Sequence, residues 1–396
     1  MNQKKCSVTG EYHSVPQVAI LVDTATGWGR RVVRGILSYA EKVGPWHVWI
    51  RPSGRGDLEE LPDSWNGDGI IARISSHEIA RFVQQKNIPV VNVSGITVDG
   101  FEAPCVTTDY EKVATTAVEH FLDRGFRNFG YVGPVYESFV SRHHHAFEDA
   151  LSALGHPCVT YPMAKLGPDT DIQTIRRTLR QWVASLPRPI GVFSWGATVG
   201  RDVIEACLWE KISVPYDVAV LGGDFDDLLN VASYPALSGV VTPAEQIGYQ
   251  AAEKLHKTIL GESVENETTL LPPVGVEERL STDVIAVDDP KLAQVVAYIR
   301  EHAFEQIVVD DILKAVPMSR RILERRFQQA FGRTLLAEIR RVRINRARKL
   351  LSETDMQMQD IAEACGYNTY NYLTHIFKRV AGMTPTDYRK QWRINR

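Results

Sequence analysis

The sequence predicts a two-lobed α/β domain built on parallel sheets, followed by an all-α domain with two helix-turn-helix units. Three observations carry that expectation. Short apolar runs alternate with amphipathic stretches from residue 15 to about residue 271, the rhythm of doubly wound parallel sheets. From residue 290 onward only helical periodicity remains. The charge divides at the same place: residues 290–396 hold 20 Lys+Arg and 11 Asp+Glu, a net of +9, while residues 1–289 hold 25 and 37, a net of −12. An acidic body with a basic tail fits a tail that meets a polyanion; the plainer reading is a solvated basic surface.

The elements follow in order. Residues 15–22 (VPQVAILV) read as a buried parallel strand, then a Gly/Thr loop, then an amphipathic helix over 31–43. Strands are expected at 47–50, 69–72 and 89–93, with a helix over 78–86. The rhythm then repeats: helix 109–123 with Asp109 as a plausible N-cap, strand 129–132, helix 142–154, strand 159–161, helix 172–186, strand 190–194, helix 198–209, strand 218–221, helix 244–260 and a strand near 268–271. Two successive sets of similar size suggest two lobes with a cleft between them. Ligands of open parallel sheets bind beyond the carboxyl ends of the strands. Residues 24–30, 133–143, 194–198 and 222–227 therefore line the candidate pocket, with Trp28, Arg142, His143, Trp195 and Asp224 as ligand candidates. Aromatic faces beside charged hydrogen-bonding groups suit a small polyhydroxylated molecule; the plainer reading of the two tryptophans is hinge or core packing.

Composition and motifs exclude much else. With 396 residues, 44% hydrophobic and 23% charged, the chain has the make-up of a soluble protein of two or three domains. No apolar run approaches the ~20 residues of a membrane helix, so no membrane partner is expected. The tail 1–14 lacks the apolar core of a secretory signal. Five cysteines (6, 105, 158, 207 and 365) include no C-x-x-C pair, which points to a reducing, cytoplasmic setting. There is no P-loop, G-x-S-x-G or H-E-x-x-H motif, and Gly27-x-Gly29 lacks the rest of a dinucleotide fingerprint. We expect no enzyme and no cofactor. His143, His144 and His145 are consecutive, do not share a helix face, and show no evident partner four residues away, so no metal is expected. Asp226 and Asp227 read as solvated neighbours of Asp224.

In the tail, a helix over 291–302 precedes a short helix ending at Val316, capped by Asp310 or Asp311 and broken by Pro317. Ser319 caps the next helix, where Ile322, Leu323, Phe327 and Phe331 face inward and Arg320, Arg321, Glu324, Arg325 and Gln328 face outward. After an amphipathic connector (335–351) bearing five arginines, the pattern recurs. A short helix at 361–365, a turn at Gly366 and a cap at Asn368 or Thr369 lead into a helix with Leu373, Ile376, Phe377 and Val380 inward. Tyr370, Asn371, Thr374, His375 and Lys378 face outward. A short helix, a tight turn and a basic second helix describe a helix-turn-helix. Arg321 and Arg325 suit guanine O6/N7, Glu324 a cytosine amine, and Asn371 adenine N6/N7. Ser319, Thr369, Thr374, Lys378 and Arg379 suit phosphates.

Several blocks carry family resemblances. Residues 212–227 (ISVPYDVAVLGGDFDD) and the block opening at Asp109 and Tyr110 resemble LacI-type regulators, whose effector domains look like periplasmic sugar-binding proteins. WGRRVVRGILSYA and PPVGVEERLSTD resemble the xylose-operon regulator family, and residues 360–390 closely resemble the AraC-type DNA-binding signature. The resemblance implies a ligand-sensing domain over 15–284, a linker at 285–290 and an AraC-type DNA-binding domain over 291–396. It also places base-reading side chains at Asn371 and His375. It implies double-stranded DNA, RNA polymerase and a sugar effector as partners, a homodimer, and activation of sugar-catabolism genes. Two departures stand out. Gly196 and Ala197 replace an Asn-Asp pair that binds sugar hydroxyls in the family, and His143 occupies the register of the family's ligand-holding arginine, with Arg142 one position early. They imply an altered pocket: a ligand other than xylose, or weakened sugar affinity. A cytoplasmic sugar-binding protein without DNA function, and a sensor of a partner protein, are the alternatives.

Overall fold

The computed structural model describes residues 15–51, 61–62, 65–134, 138–162, 170–284, 286 and 289–392. The tail 1–14 and parts of the 285–290 linker and of the 133–143 stretch lie outside the described residues. Two six-stranded sheets form the body. The first runs in the order β11-β5-β4-β3-β1-β2, from β1 (Gln17–Leu21), β2 (His47–Ile50), β3 (Gly69–Ala72), β4 (Val90–Asn92), β5 (Cys105–Thr108) and β11 (Thr268–Leu271). The second runs β12-β10-β9-β8-β6-β7, from β6 (Asn128–Val132), β7 (Cys158–Thr160), β8 (Ile190–Ser194), β9 (Val218–Gly222), β10 (Ser238–Val241) and β12 (Gly275–Glu277). All recorded pairings are parallel except β10 with β12.

The lobes are not two successive sets. Helix α3 (Tyr110–Leu122) follows the first lobe in sequence but buries Val113, Ala117 and Phe121 in the core of the second. Helix α7 (Ala244–Ile259) and β11 return to the first lobe, where Ile247, Ala251 and Leu255 join Val18, Ile20 and Ile36. The chain therefore crosses the hinge more than once. Glycines allow the return. A Cβ on Gly35 of α1 (Gly27–Val43) would lie 1.9 Å from the Glu245 carbonyl oxygen, and one on Gly248 would lie 2.0 Å from that of Val32. The two helices pack backbone to backbone.

Helix α1 begins at Gly27, four residues before the expected start. Thr26 caps it by accepting from Gly29 N at 3.1 Å, and Gly29 fits because a Cβ there would collide with the Asp23 carbonyl. The glycines that read as a loop are what the first turn requires. Likewise α4 (Ser138–Ser152) starts before residue 142. The remaining body helices are α2 (His77–Gln85), α5 (Ile172–Ser185) and α6 (Ala197–Trp209).

The tail packs α8 (Pro290–His302), α9 (Val309–Ala315), α10 (Arg320–Phe331), α11 (Leu335–Glu353), α12 (Met358–Ala364), α13 (Tyr370–Ala381) and α14 (Pro385–Trp392) around two cores. Leu323, Phe327 and Phe331 anchor one; Leu373, Ile376 and Phe377 anchor the other. Three expectations change here. Ile322 and Val380 are exposed, not inward. Val308 is the N-cap of α9, and Asp311 reaches back to its N–H at 3.1 Å instead of capping.

Candidate ligand cleft and nucleic-acid interface

At the carboxyl ends of the strands, the structure gathers Tyr110, His143 and Trp195 into an aromatic group. The His143 ring lies 4.9 Å from Trp195, edge to face, and 5.8 Å from Tyr110. Burial and its neighbour His144 push the His143 imidazole down to about 3, so it is neutral at pH 7. Its Nδ1 meets the Tyr131 hydroxyl at 2.9 Å, while Nε2 is buried with no partner among the described residues. Burial pushes the Tyr110 hydroxyl up, while the charges of Arg73 and Arg142 pull it down and that of Asp224 pushes it up. Trp28 lies on the first lobe with the Arg73 guanidinium 5.6 Å from its ring. Arg73 and Tyr110 were not among the sequence candidates. Both directly or nearly follow a strand, β3 and β5, and that rule applied to every strand would have found them.

Asp224 has a second task. Its Oδ1 accepts from Ala197 N at 2.7 Å, capping α6, whose N-cap residue Gly196 offers no side chain. A cavity of about 1070 Å³ opens beside the group, lined by Asn92, Ser94, Thr108, Tyr110 and Arg142. Arg142 is the one sequence candidate in its wall; Trp28, His143, Trp195 and Asp224 are not.

The lobes are bridged by their own residues. Asp226 is not a solvated neighbour: it is buried and accepts from Gly27 N across the cleft at 2.7 Å, as well as from Leu228 N and Leu229 N. Burial works against the Asp226 carboxylate, yet these bonds hold its pKa below the usual range. Arg31 Nη2 donates to the Phe225 carbonyl at 2.6 Å, and Arg142 donates to that of Gly95. The histidine run also differs from expectation. Glu148 is the carboxylate four residues from His144, and His144, His145 and Glu148 bring possible ligand atoms within 4.8 Å. His144 Nε2 is held instead by Thr160 Oγ1 at 2.8 Å and Glu148 Oε1 at 3.0 Å.

Helix α3 joins the cleft to the tail. Tyr110 opens it, and Asp123 at its far end, about 20 Å away, ion-pairs with Arg333 at 2.6 Å and Arg341 at 2.5 Å. Both arginines also hold Glu338, which is fully buried. Burial pushes Glu338 up, but its bonds to the two arginines outweigh that and keep its carboxyl below the usual range. Lys349 with Glu277 (3.1 Å) and the Tyr388 hydroxyl on the Val274 carbonyl (3.2 Å) add to the joint.

On the tail, Ser319 and Thr369 cap α10 and α13 by accepting from Ile322 N and Tyr372 N. Arg321, Arg325, Asn371, His375 and Lys378 are exposed. Arg320 is tied to Glu324 at 2.9 Å, which occupies both. Two further residues read as outward turn in. Tyr370 turns toward α14, its hydroxyl 2.9 Å from Thr386 Oγ1, and the Thr374 hydroxyl is buried, with no partner among the described residues.

Residues 17–116 match the XylR N-terminal domain, residues 118–282 a periplasmic binding protein-like domain, and residues 312–391 a helix-turn-helix domain. The xylose operon regulatory protein of Escherichia coli strain K12 is 30% identical over 380 residues, covering 94% of this chain and 96% of that one. That of Haemophilus influenzae is 29% identical, covering 96% and 99%. A solved structure of the xylose-binding transcription activator xylR superposes with a TM-score of 0.62 at 29% identity, covering 96% of this chain and 99% of that one. This chain belongs to the family of the xylose operon regulatory proteins.

Proposed function

We propose that the chain is a transcription activator that binds a pentose, D-xylose first among candidates, between its two lobes and answers by changing its grip on DNA. The observation that carries this reading is the family match along 94% of the chain, which joins the sensing body to the helix-turn-helix tail. Residues 15–284 sense, residues 291–396 bind DNA, and 285–290 connect them. The chain acts by binding and not by catalysis, in the cytoplasm, as a homodimer that recruits RNA polymerase. In the cleft, Tyr110 and Trp195 supply apolar faces for a sugar ring. Arg73, Arg142 and the orphaned His143 Nε2 supply partners for its hydroxyls. The ligand shifts the lobes only through its different affinity for their arrangements, and α3 carries that shift to Arg333 and Arg341.

A second reading keeps the DNA function but changes the ligand. Gly196 and Ala197 favour it, because Asp224 is drawn into capping α6 where the family has sugar-binding side chains. Thermal unfolding against a panel of pentoses, hexoses and sugar acids separates the two. A rise of several degrees with D-xylose alone supports the first reading, since a ligand at 100 times its Kd adds about 2.7 kcal/mol. A rise with a different compound supports the second. A flat response across the panel removes the sugar-sensor reading.

A further inference from the structure

The two recognition helices repeat each other 50 positions apart. N-cap Ser319 matches Thr369, buried Leu323 matches Leu373, buried Phe327 matches Phe377, and left-handed Gly332 (φ +70°) matches Gly382 (φ +76°). One matched pair departs from the polar-out pattern. Ile322 is 39% exposed and Tyr372 51% exposed. Each is the residue whose N–H donates to the cap, at 3.4 Å and 3.3 Å, so each sits in the first turn. That is the end of a recognition helix that enters the major groove.

A single exposed apolar side chain on a protein surface calls for no explanation. The same exposure at the same register of two helices, each flanked by exposed groups able to read bases, does. Ile322 lies between Arg321 and Arg325, and Tyr372 between Asn371 and His375. The Tyr372 ring is also held in place: it meets the buried Tyr367 ring edge-on at 5.9 Å, and Arg343 stands 5.4 Å from that ring. An ordered apolar surface in the major groove has one hydrophobic partner among the base edges, the C5-methyl of thymine.

We propose that Ile322 and Tyr372 are specificity residues that contact thymine methyl groups, one from each recognition helix. The proposal rests on the DNA-binding reading, and the test separates the two. A preferred site is first selected in vitro with the full-length parent protein and D-xylose. Each thymine of that site is then replaced by uracil, which removes only the methyl group, and binding is measured for the parent and for Ile322→Ala, Tyr372→Ala and Tyr372→Phe. Urea unfolding of each variant checks that it folds.

For the parent, one uracil in each half of the site should weaken binding roughly fourfold, the effect of one buried methyl. Ile322→Ala should abolish the penalty at one of these positions and Tyr372→Ala at the other, while Tyr372→Phe keeps it. No uracil penalty in the parent, or penalties unchanged in the alanine variants, overturns the proposal while leaving DNA binding intact. Tyr372→Phe behaving like Tyr372→Ala assigns the contact to the hydroxyl and overturns it for that residue. Failure to select any site counts against the DNA-binding reading itself.

Discussion

The sensing cleft and the DNA face use their polar groups in opposite ways. In the cleft, charged groups near the strand ends are engaged with the protein itself. Asp226 bridges to Gly27, Arg31 to Phe225, Arg142 to Gly95, and Asp224 caps α6. On the tail, the side chains of Arg321, Arg325, Asn371, His375 and Lys378 stand exposed without a hydrogen bond or ion pair among the described residues. A ligand must therefore compete with internal contacts, and its effect is a change of arrangement. DNA meets side chains on helices already fixed by caps and two small cores, and its effect is docking. The joint between the regions is a buried ion network, and it should be the least tolerant of change.

The largest effect tests that joint. Arg341→Ala leaves the buried Glu338 and Asp123 short of a partner and should cost about 3–5 kcal/mol in urea unfolding. A loss below about 1 kcal/mol would mean the network is solvated and the regions move independently. Next is the bridge between the lobes. Asp226→Ala removes the acceptor of three backbone N–H groups and should destabilise by about 1–3 kcal/mol. It should also widen the ligand-free molecule in small-angle scattering, while its salt dependence of DNA binding stays that of the parent. A similar cost is expected from Arg325→Ala, but in DNA binding: about 1–3 kcal/mol at a single base position, with preference relaxed there. Equal loss on all sequences would make Arg325 a phosphate contact.

Smaller is Tyr370→Phe. It loses the bond to Thr386 and should cost about 0.5–1.5 kcal/mol of stability without altering base preference. The pH dependence is a separate test, of the buried His143. His143 is neutral in the fold down to about pH 3, whereas an unfolded histidine takes up its proton near 6.5. Between those values the unfolded chain binds more protons, so stability falls as pH falls from about 6.5 toward 3. His143→Phe should flatten the urea-unfolding profile over that window, and an unchanged slope would place the titration elsewhere.

Much of this was legible in the sequence. The strands at 190–194 and 268–271 and the caps at Asp109, Ser319 and Thr369 coincide with the structure. Apolar runs and capping residues are local signals, and the structure keeps them. What was not legible is non-local. The short strands β5, β10 and β12 acquire their character from neighbours across the sheet, not from a strong run of their own. Helix α7 returns to the first lobe because Gly35 and Gly248 let two backbones meet, which no window of sequence can display. In the site, Asp226 looked like a spare acid beside Asp224 because its partner Gly27 is 199 residues away. Tyr370 looked outward by helical spacing, but α14 covers it.

The most direct measurement is a titration of labelled double-stranded DNA carrying a selected site with the purified protein, with and without D-xylose, for the parent and for Trp195→Ala. Xylose should tighten binding by the parent at least fivefold, within the usual range of coupling between sites. Trp195→Ala should bind the DNA like the ligand-free parent whether or not xylose is present. Xylose without effect on the parent, or an equal effect on both proteins, would contradict the proposed function.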